Sequence, residues 1–319
     1  MRTTSHSLRK RFVKDYKLPI SLLQDPYFDY FIELYDKFYN SKKLYSSFCD
    51  LIDKLGGEES FFKESKHITD TIIRDISGTE AYKKFNMGDL SEYDSKSDVR
   101  QQNVYHQQNV GHAFASFDLI KANYNALKYI TPEIVLSTES YEDLLGKYTE
   151  ESYFMNSKHI RQVIFGHLNP KRQRKIEKYL IQQKIIPEVE KILPGRHRYV
   201  SASDDEVVVK LELFEAGLLD TGFKEKLSNF KAIVPVRYTS YVLRQLGDKS
   251  YFYKQLAHGS VPPVEFKAVP QNYFAECYRF FNKEKPTEYD MCTFHEGRVV
   301  KYLDSLFEID DHLFVGYDE

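Results

Sequence analysis

Asp118 and the Asp204-Asp205 pair are the carboxylates whose setting in this sequence could do chemistry. Asp118 lies near the end of the apolar run from Val110 to Leu119 (VGHAFASFDL), which reads as a buried strand and leads straight into a helical pattern from Lys121 to Ile130, ended by Thr131-Pro132. Asp204-Asp205-Glu206 stands between two extended runs, Arg198–Ser203 and Val207–Leu213, the pattern of a β-hairpin with carboxylates at its tip. A carboxylate at the end of a buried strand is costly unless it is paired or holds a metal. Two such sites brought together repel each other, and a divalent cation relieves the repulsion. Hard oxygen ligands at two strand ends suit Mg²⁺ or Mn²⁺, and two such ions about 4 Å apart stabilise the attacking and leaving oxygens of phosphoryl transfer. Each carboxylate also has a plainer reading: Asp118 as the N-cap of a helix beginning near Ile120, and Asp204-Asp205 as a solvated turn.

The order of strand with Asp118, helix, basic helix and acidic hairpin resembles the palm of template-directed nucleic-acid polymerases, particularly reverse transcriptases and family B DNA polymerases. The resemblance covers roughly residues 110 to 275. It implies a polymerase-type nucleotidyltransferase that adds nucleotides to a nucleic-acid 3′ end, with metals on Asp118, Asp204 and Asp205. It also implies Asn123, fifth after Asp118, beneath the nucleotide sugar with Tyr124 beside it, and Lys158, Arg161 and Gln162 of NSKHIRQVIFG toward the triphosphate. Lys254 in SYFYKQL and Lys267 in VEFKAVPQ would hold the primer backbone. Two departures stand out: Asn123 occupies a place where family B has Tyr, and Ser203 replaces the usual aromatic residue before the hairpin carboxylates. A second resemblance, to archaeo-eukaryotic primases and primase-polymerases, rests on Ser157-Lys158-His159 as a Ser-x-His element; Asp118-Leu119-Ile120 lacks the second carboxylate that family pairs with it. A non-catalytic nucleic-acid-binding or assembly protein with a polymerase-like sheet is the competing class.

The run KRQRK supplies Lys171, Arg172, Arg174 and Lys175 either as a stripe for nucleic-acid phosphates or as a solvated helix face. Near-neutral balance, 45 Lys+Arg against 47 Asp+Glu for a net charge of -2, makes any such binding local rather than global. No phosphate-binding GxxxxGK[ST] loop, GxGxxG, HExxH or GxSxG is present, which sets aside the common phosphate-loop, dinucleotide, zincin and hydrolase chemistries. Cys49, Cys277 and Cys292 have no CxxC spacing and are odd in number, against a disulfide framework or zinc cluster and for a reducing compartment. The basic N-terminus has no apolar run behind it and nowhere do about 18 apolar residues follow one another, so neither secretion nor membrane spanning is expected.

The elements that must position these residues follow from periodicity. Apolar residues from Leu18 to about Ile76 recur at helical spacing, with Pro26 at a first turn and Gly56-Gly57 closing one helix. The Tyr and Phe residues of this stretch fall at core spacing. A polar stretch from Asp89 to Gln108 reads as a linker. Ser140 to about Gln183 is mostly helical, interrupted at Gly166 and Asn169-Pro170. Strands are expected within Ala232–Leu246, Ser250–Leu256 and Val264–Val269, and helices over Lys224–Phe230, Gln271–Phe281 and Arg298–Phe307. The expected fold is α+β: a helical region with polar linker (1–108), a domain with a central antiparallel palm-like sheet and packed helices (109–275), and a small mixed C-terminal region (276–319). Expected partners are a nucleic-acid template and primer, nucleoside triphosphates and proteins of a larger complex, with no membrane. The expected setting is intracellular: cytoplasm, nucleoid or a viral-replication compartment.

Overall fold

The computed structural model describes residues 2–95, 99, 101–195, 198–212, 227, 230–247, 250–256, 264–302, 305 and 307. Helices α1 (His6–Tyr16), α2 (Tyr27–Leu34), α3 (Asp36–Tyr39), α4 (Ser41–Leu55), α5 (Glu58–Gly78) and α6 (Glu80–Met87) come first. Strand β1 (Ala113–Leu119) and helix α7 (Ala122–Ile130) follow, then α8 (Tyr141–Gly146), α9 (Ser152–Asn156), α10 (Lys158–His167) and α11 (Pro170–Tyr179). A π-helical turn over Leu180–Ile185 joins α11 to α12 (Ile186–Ile192). The hairpin β2 (Tyr199–Ala202) and β3 (Glu206–Lys210) precedes β4 (Val236–Gln245), β5 (Phe252–Leu256) and β6 (Val264–Lys267). Helix α13 (Phe274–Phe281) and the pair β7 (Cys292–His295) and β8 (Arg298–Lys301) complete the order. The chain is α+β.

The sheet has the strand order β2-β3-β1-β4-β5-β6. β1 runs antiparallel to β3 with Phe114 opposite Lys210 and Asp118 opposite Glu206. Hydrogen bonds from the Gly111 N–H to the Leu243 carbonyl (2.8 Å) and from the Ile120 N–H to the Pro235 carbonyl (3.0 Å) show that β4 also runs antiparallel to this segment. β1 is buried on both faces, which is why it reads as a continuous apolar run rather than an alternating one.

Two compact units emerge, one made of residues 1–51, 105–111 and 242–319, the other of residues 52–104 and 112–241. In the first, Phe12 packs its ring 5.1 Å from Tyr45 and 5.4 Å from Phe48, all three buried. In the second, Phe114, Phe117, Leu127, Ile160, Ile164, Ile176, Val207 and Val209 are fully buried. Phe12, Tyr45 and Phe48 are therefore packing residues, in keeping with their spacing. Gly56 and Gly57 both take positive φ (88° and 110°), so the α4–α5 turn needs a residue without a Cβ penalty.

One helix expected from the sequence is a strand. Arg298–Lys301, the start of the stretch read as helical to Phe307, is β8, paired antiparallel to β7 with His295 opposite Arg298. Glu296 and Gly297 between them both have positive φ (47° and 79°), as a two-residue hairpin turn requires. Val299 and Val300 suit the strand better than a helix. The helix expected at Lys224–Phe230 lies largely outside the described residues, which include only Leu227 and Phe230 of it.

Candidate active site

β1 ends in the alternation Phe114, Ser116, Asp118 along one face, and the register sets Asp118 directly across from Glu206 of β3. Carboxylates opposite each other on adjacent antiparallel strands repel. The structure tightens the pairing there: the Leu119 N–H donates to the Asp205 carbonyl at 2.8 Å, and the Ser116 hydroxyl donates to Glu206 Oε1. Arg237 of β4 closes an ion pair on Asp118 Oδ2. Asp118 is partly buried, and burial pushes its carboxyl up; the Arg237 charge pulls it down, and Asp205 and Glu206 push it up again, leaving it raised. Asp118 caps no helix: the N-cap of α7 is Lys121, in the left-handed region at φ 47° with no side-chain cap.

The hairpin tip is built by Ser203. Its Oγ accepts from the Glu206 N–H at 3.0 Å and lies 3.0 Å from Asp205 Oδ1, while the Ser203 N–H donates to the Glu206 carbonyl at 2.8 Å. The residue that departs from the polymerase pattern is thus the one that shapes the turn and steadies Asp205.

A fifth carboxylate, Glu177 of α11, completes the cluster. It is 5% exposed and accepts a hydrogen bond from Asn123 Nδ2 of α7 at 2.9 Å. Burial first, then the charges of Asp205 and Asp204, push its carboxyl up to about 7, with Arg174 opposing. Asn123 is thereby tied to the acidic cluster, whereas Tyr124 is turned away: it is buried, with its hydroxyl donating to the Thr138 carbonyl at 2.8 Å.

A cationic group stands at the N-terminal end of α7, where Lys121 is the N-cap. Lys121 donates to Glu142 and lies 5.3 Å from the Tyr141 ring centre, over which the Arg161 guanidinium also sits at 5.9 Å. Burial, and then the Arg161 charge, hold the Lys121 ammonium below its ordinary value. Lys158 begins α10 and Gln162 is exposed on it. Ser157 of the Ser-x-His element is 2% exposed and caps α10, its Oγ accepting from the Ile160 N–H at 3.1 Å. Lys171, Arg174 and Lys175 line one cleft with Asp204, whereas Arg172 donates to the Gly88 carbonyl and overlies the Phe85 ring. Lys254 and Lys267 belong to the other unit: Lys254 is buried with its ammonium 6.0 Å from the Tyr105 ring centre, and Lys267 pairs with Glu265 at 3.0 Å.

Glu206, Glu177, Arg237 and Lys121 were not singled out by sequence reasoning. Glu206 was legible in principle, because two-residue alternation from Val208 back through Glu206 puts it on one strand face. Arg237 lies 119 residues from Asp118 and nothing local marks it.

Among the described residues no group of three or more His, Cys, Asp or Glu side chains is gathered to hold a metal ion. Mg²⁺ commonly takes only one or two protein carboxylates and completes its shell with water and substrate phosphates. A donor set of Asp118 with Asp205, hard oxygens near enough that, after burial, the Asp205 charge also pushes Asp118 up, has the chemistry for that mode. Among the described residues no helix is long and apolar enough to cross a membrane. No protein-family model matches the chain, and comparison with curated proteins and with solved structures finds no significant match.

Proposed function

We propose that the protein is a polymerase-type nucleotidyltransferase whose active site lies where β1 meets the β2–β3 hairpin, on a palm-like sheet. The observation that carries this reading is the register: Asp118 lies across from Glu206, with its neighbour Leu119 bonded to the Asp205 backbone.

Asp118 and Asp205, with Asp204 beside them, would hold Mg²⁺ or Mn²⁺, which supplies charge neutralisation at the pyrophosphate and a lowered pKa for the attacking 3′ hydroxyl. The chain's own residues set the stage. Arg237 favours the ionised form of Asp118, its guanidinium opposing part of the upward push of burial. Ser203 orients Asp205. Lys121 and Arg161, two cations held together over Tyr141, are the groups for the triphosphate; burial first and the Arg161 charge second lower Lys121, and an anion there offsets both. Asn123, tied to Glu177, faces the acidic cluster and is the residue on α7 to meet the sugar.

Incorporation of labelled nucleotides into a primed template, with Mg²⁺ or Mn²⁺, tests the reading. Asp118→Asn and Asp205→Asn should each abolish it while the melting curve stays cooperative. Full activity in either variant, or no incorporation by the wild type on DNA or RNA, would return the protein to the class of non-catalytic nucleic-acid-binding or assembly proteins.

A further inference from the structure

The structure divides the basic run of α11. Gln173 is fully buried, its amide donating to the carbonyls of Phe165 (2.9 Å) and Leu168, and Arg172 points to Phe85 and Gly88. What remains is Lys171, Arg174 and Lys175, joined by Lys178 of the same helix at the i, i+3, i+4, i+7 spacing of a single face. These four line a cleft of about 380 Å³ together with Tyr93, Asp94, Ser95 and Asp204. Lys175 is paired with Asp94 at 2.7 Å. The pairs Lys171/Lys175 and Arg174/Lys178 are like charges four residues apart, which destabilise a helix unless an anion balances them.

We infer that this cleft holds the backbone of a single nucleic-acid strand, with Lys171, Arg174 and Lys178 on successive phosphates and Tyr93 as the ring on which a base stacks. From Lys171 to Lys178 the helix rises about 10 Å. That length lets the helix face follow more than one phosphate of a strand laid along it. Tyr93 is fixed in place by Tyr179, whose ring lies 5.2 Å away and nearly perpendicular to it, and stacking on such a ring is tolerant of base identity. A strand in this cleft passes beside Asp204 and so reaches the acidic hairpin. The inference deepens the reading above by naming where its nucleic acid lies, and strand binding itself needs neither nucleotide nor metal.

The test is fluorescence anisotropy of a labelled single-stranded oligonucleotide, as RNA and as DNA, titrated with the full chain at several salt concentrations without divalent cations or nucleotide. Lys171→Gln, Arg174→Gln and Lys178→Gln should each weaken binding and lower the log-log salt slope by about 0.7. Tyr93→Leu should weaken binding several-fold and leave the slope unchanged, with Tyr93→Phe restoring it. Inorganic triphosphate, added as competitor, should displace the strand only at a large excess. Absence of wild-type binding overturns the inference, as does a salt slope that the three substitutions leave unchanged. Displacement by triphosphate at strand-like concentrations also overturns it and assigns the cleft to a small polyanion. Binding that depends on the three cations in a protein that incorporates no nucleotide leaves the strand site standing and removes the polymerase reading alone.

Discussion

Glu177 shows how far a single side chain departs from what its sequence neighbours suggest. In the sequence it is one charge in a helix dense with Lys and Arg; in the fold it is 5% exposed, bonded by Asn123 and crowded by Asp204 and Asp205. Its carboxyl rises from an ordinary 4.5 to about 7. Between those two values the folded chain keeps a proton that the unfolded chain has lost. The contribution of this group is therefore fully present below about pH 4.5, declines as pH rises and is gone above about pH 7. At about 1.36 kcal/mol per pK unit the swing is about 3 kcal/mol. Glu177→Gln keeps an acceptor for Asn123 and removes the titration. Denaturant melts of both proteins should show the variant gaining on the wild type from acid to mildly alkaline pH and exceeding it at pH 8. A stability difference that does not change with pH would mean that the carboxyl titrates normally. Asp118 and the Asp204-Asp205 pair could be found in the sequence because strand ends and turns are local patterns. Glu177 and Arg237 could not, because what makes them matter is the packing of α11 and β4 against partners far along the chain.

At the scale of elements, the hairpin is the part of the site most fully written in local sequence. Ser203-Asp204-Asp205 sits between β-branched runs, and β2 and β3 form where those runs lie. The Ser203 side chain takes two roles at once, accepting from the Glu206 N–H and bonding Asp205. Ser203→Ala should cost about 1 kcal/mol, the usual net worth of such a hydrogen bond, and should speed amide hydrogen exchange at Asp205 and Glu206 ahead of the rest of β3. Unaltered exchange at those two amides would show that the backbone alone holds the tip. β8 is the counter-example. Its short run Arg298–Lys301 reads in sequence as part of a helical pattern extending to Phe307, although Glu296-Gly297 before it is the kind of dipeptide that turns a hairpin. A strand of four residues gives too few positions for a two-residue period to outweigh a helical one, so the turn is the signal that decides.

At the scale of the whole molecule, the candidate site belongs to a unit that the chain builds from two separate stretches, 52–104 and 112–241. The described residues of the first stretch contribute no carboxylate to the cluster, yet they cover the helices that support it. α5 packs on α10. Phe61 of α5 is fully buried with its ring 5.4 Å from that of Phe154, which is also fully buried. Lys54 pairs with Glu151 at 2.5 Å, and the Tyr148 hydroxyl donates to Asp75 at 2.9 Å. Periodicity shows that α5 has an apolar face but not which later helix it covers, because that pairing spans about ninety residues and no local signal records it. Removing the first stretch would uncover Phe154 together with the fully buried Ile160 and Ile164 of α10. Exposing side chains of this size costs about 1.5 to 3 kcal/mol each, against a total domain stability of about 5 to 15 kcal/mol. A chain cut to residues 112–241 should therefore show neither a cooperative thermal transition nor a near-ultraviolet tyrosine signal, while residues 52–241 should keep both. A cooperative melt from the shorter chain would show that the strands and α7 to α12 carry the site without α5 beneath them.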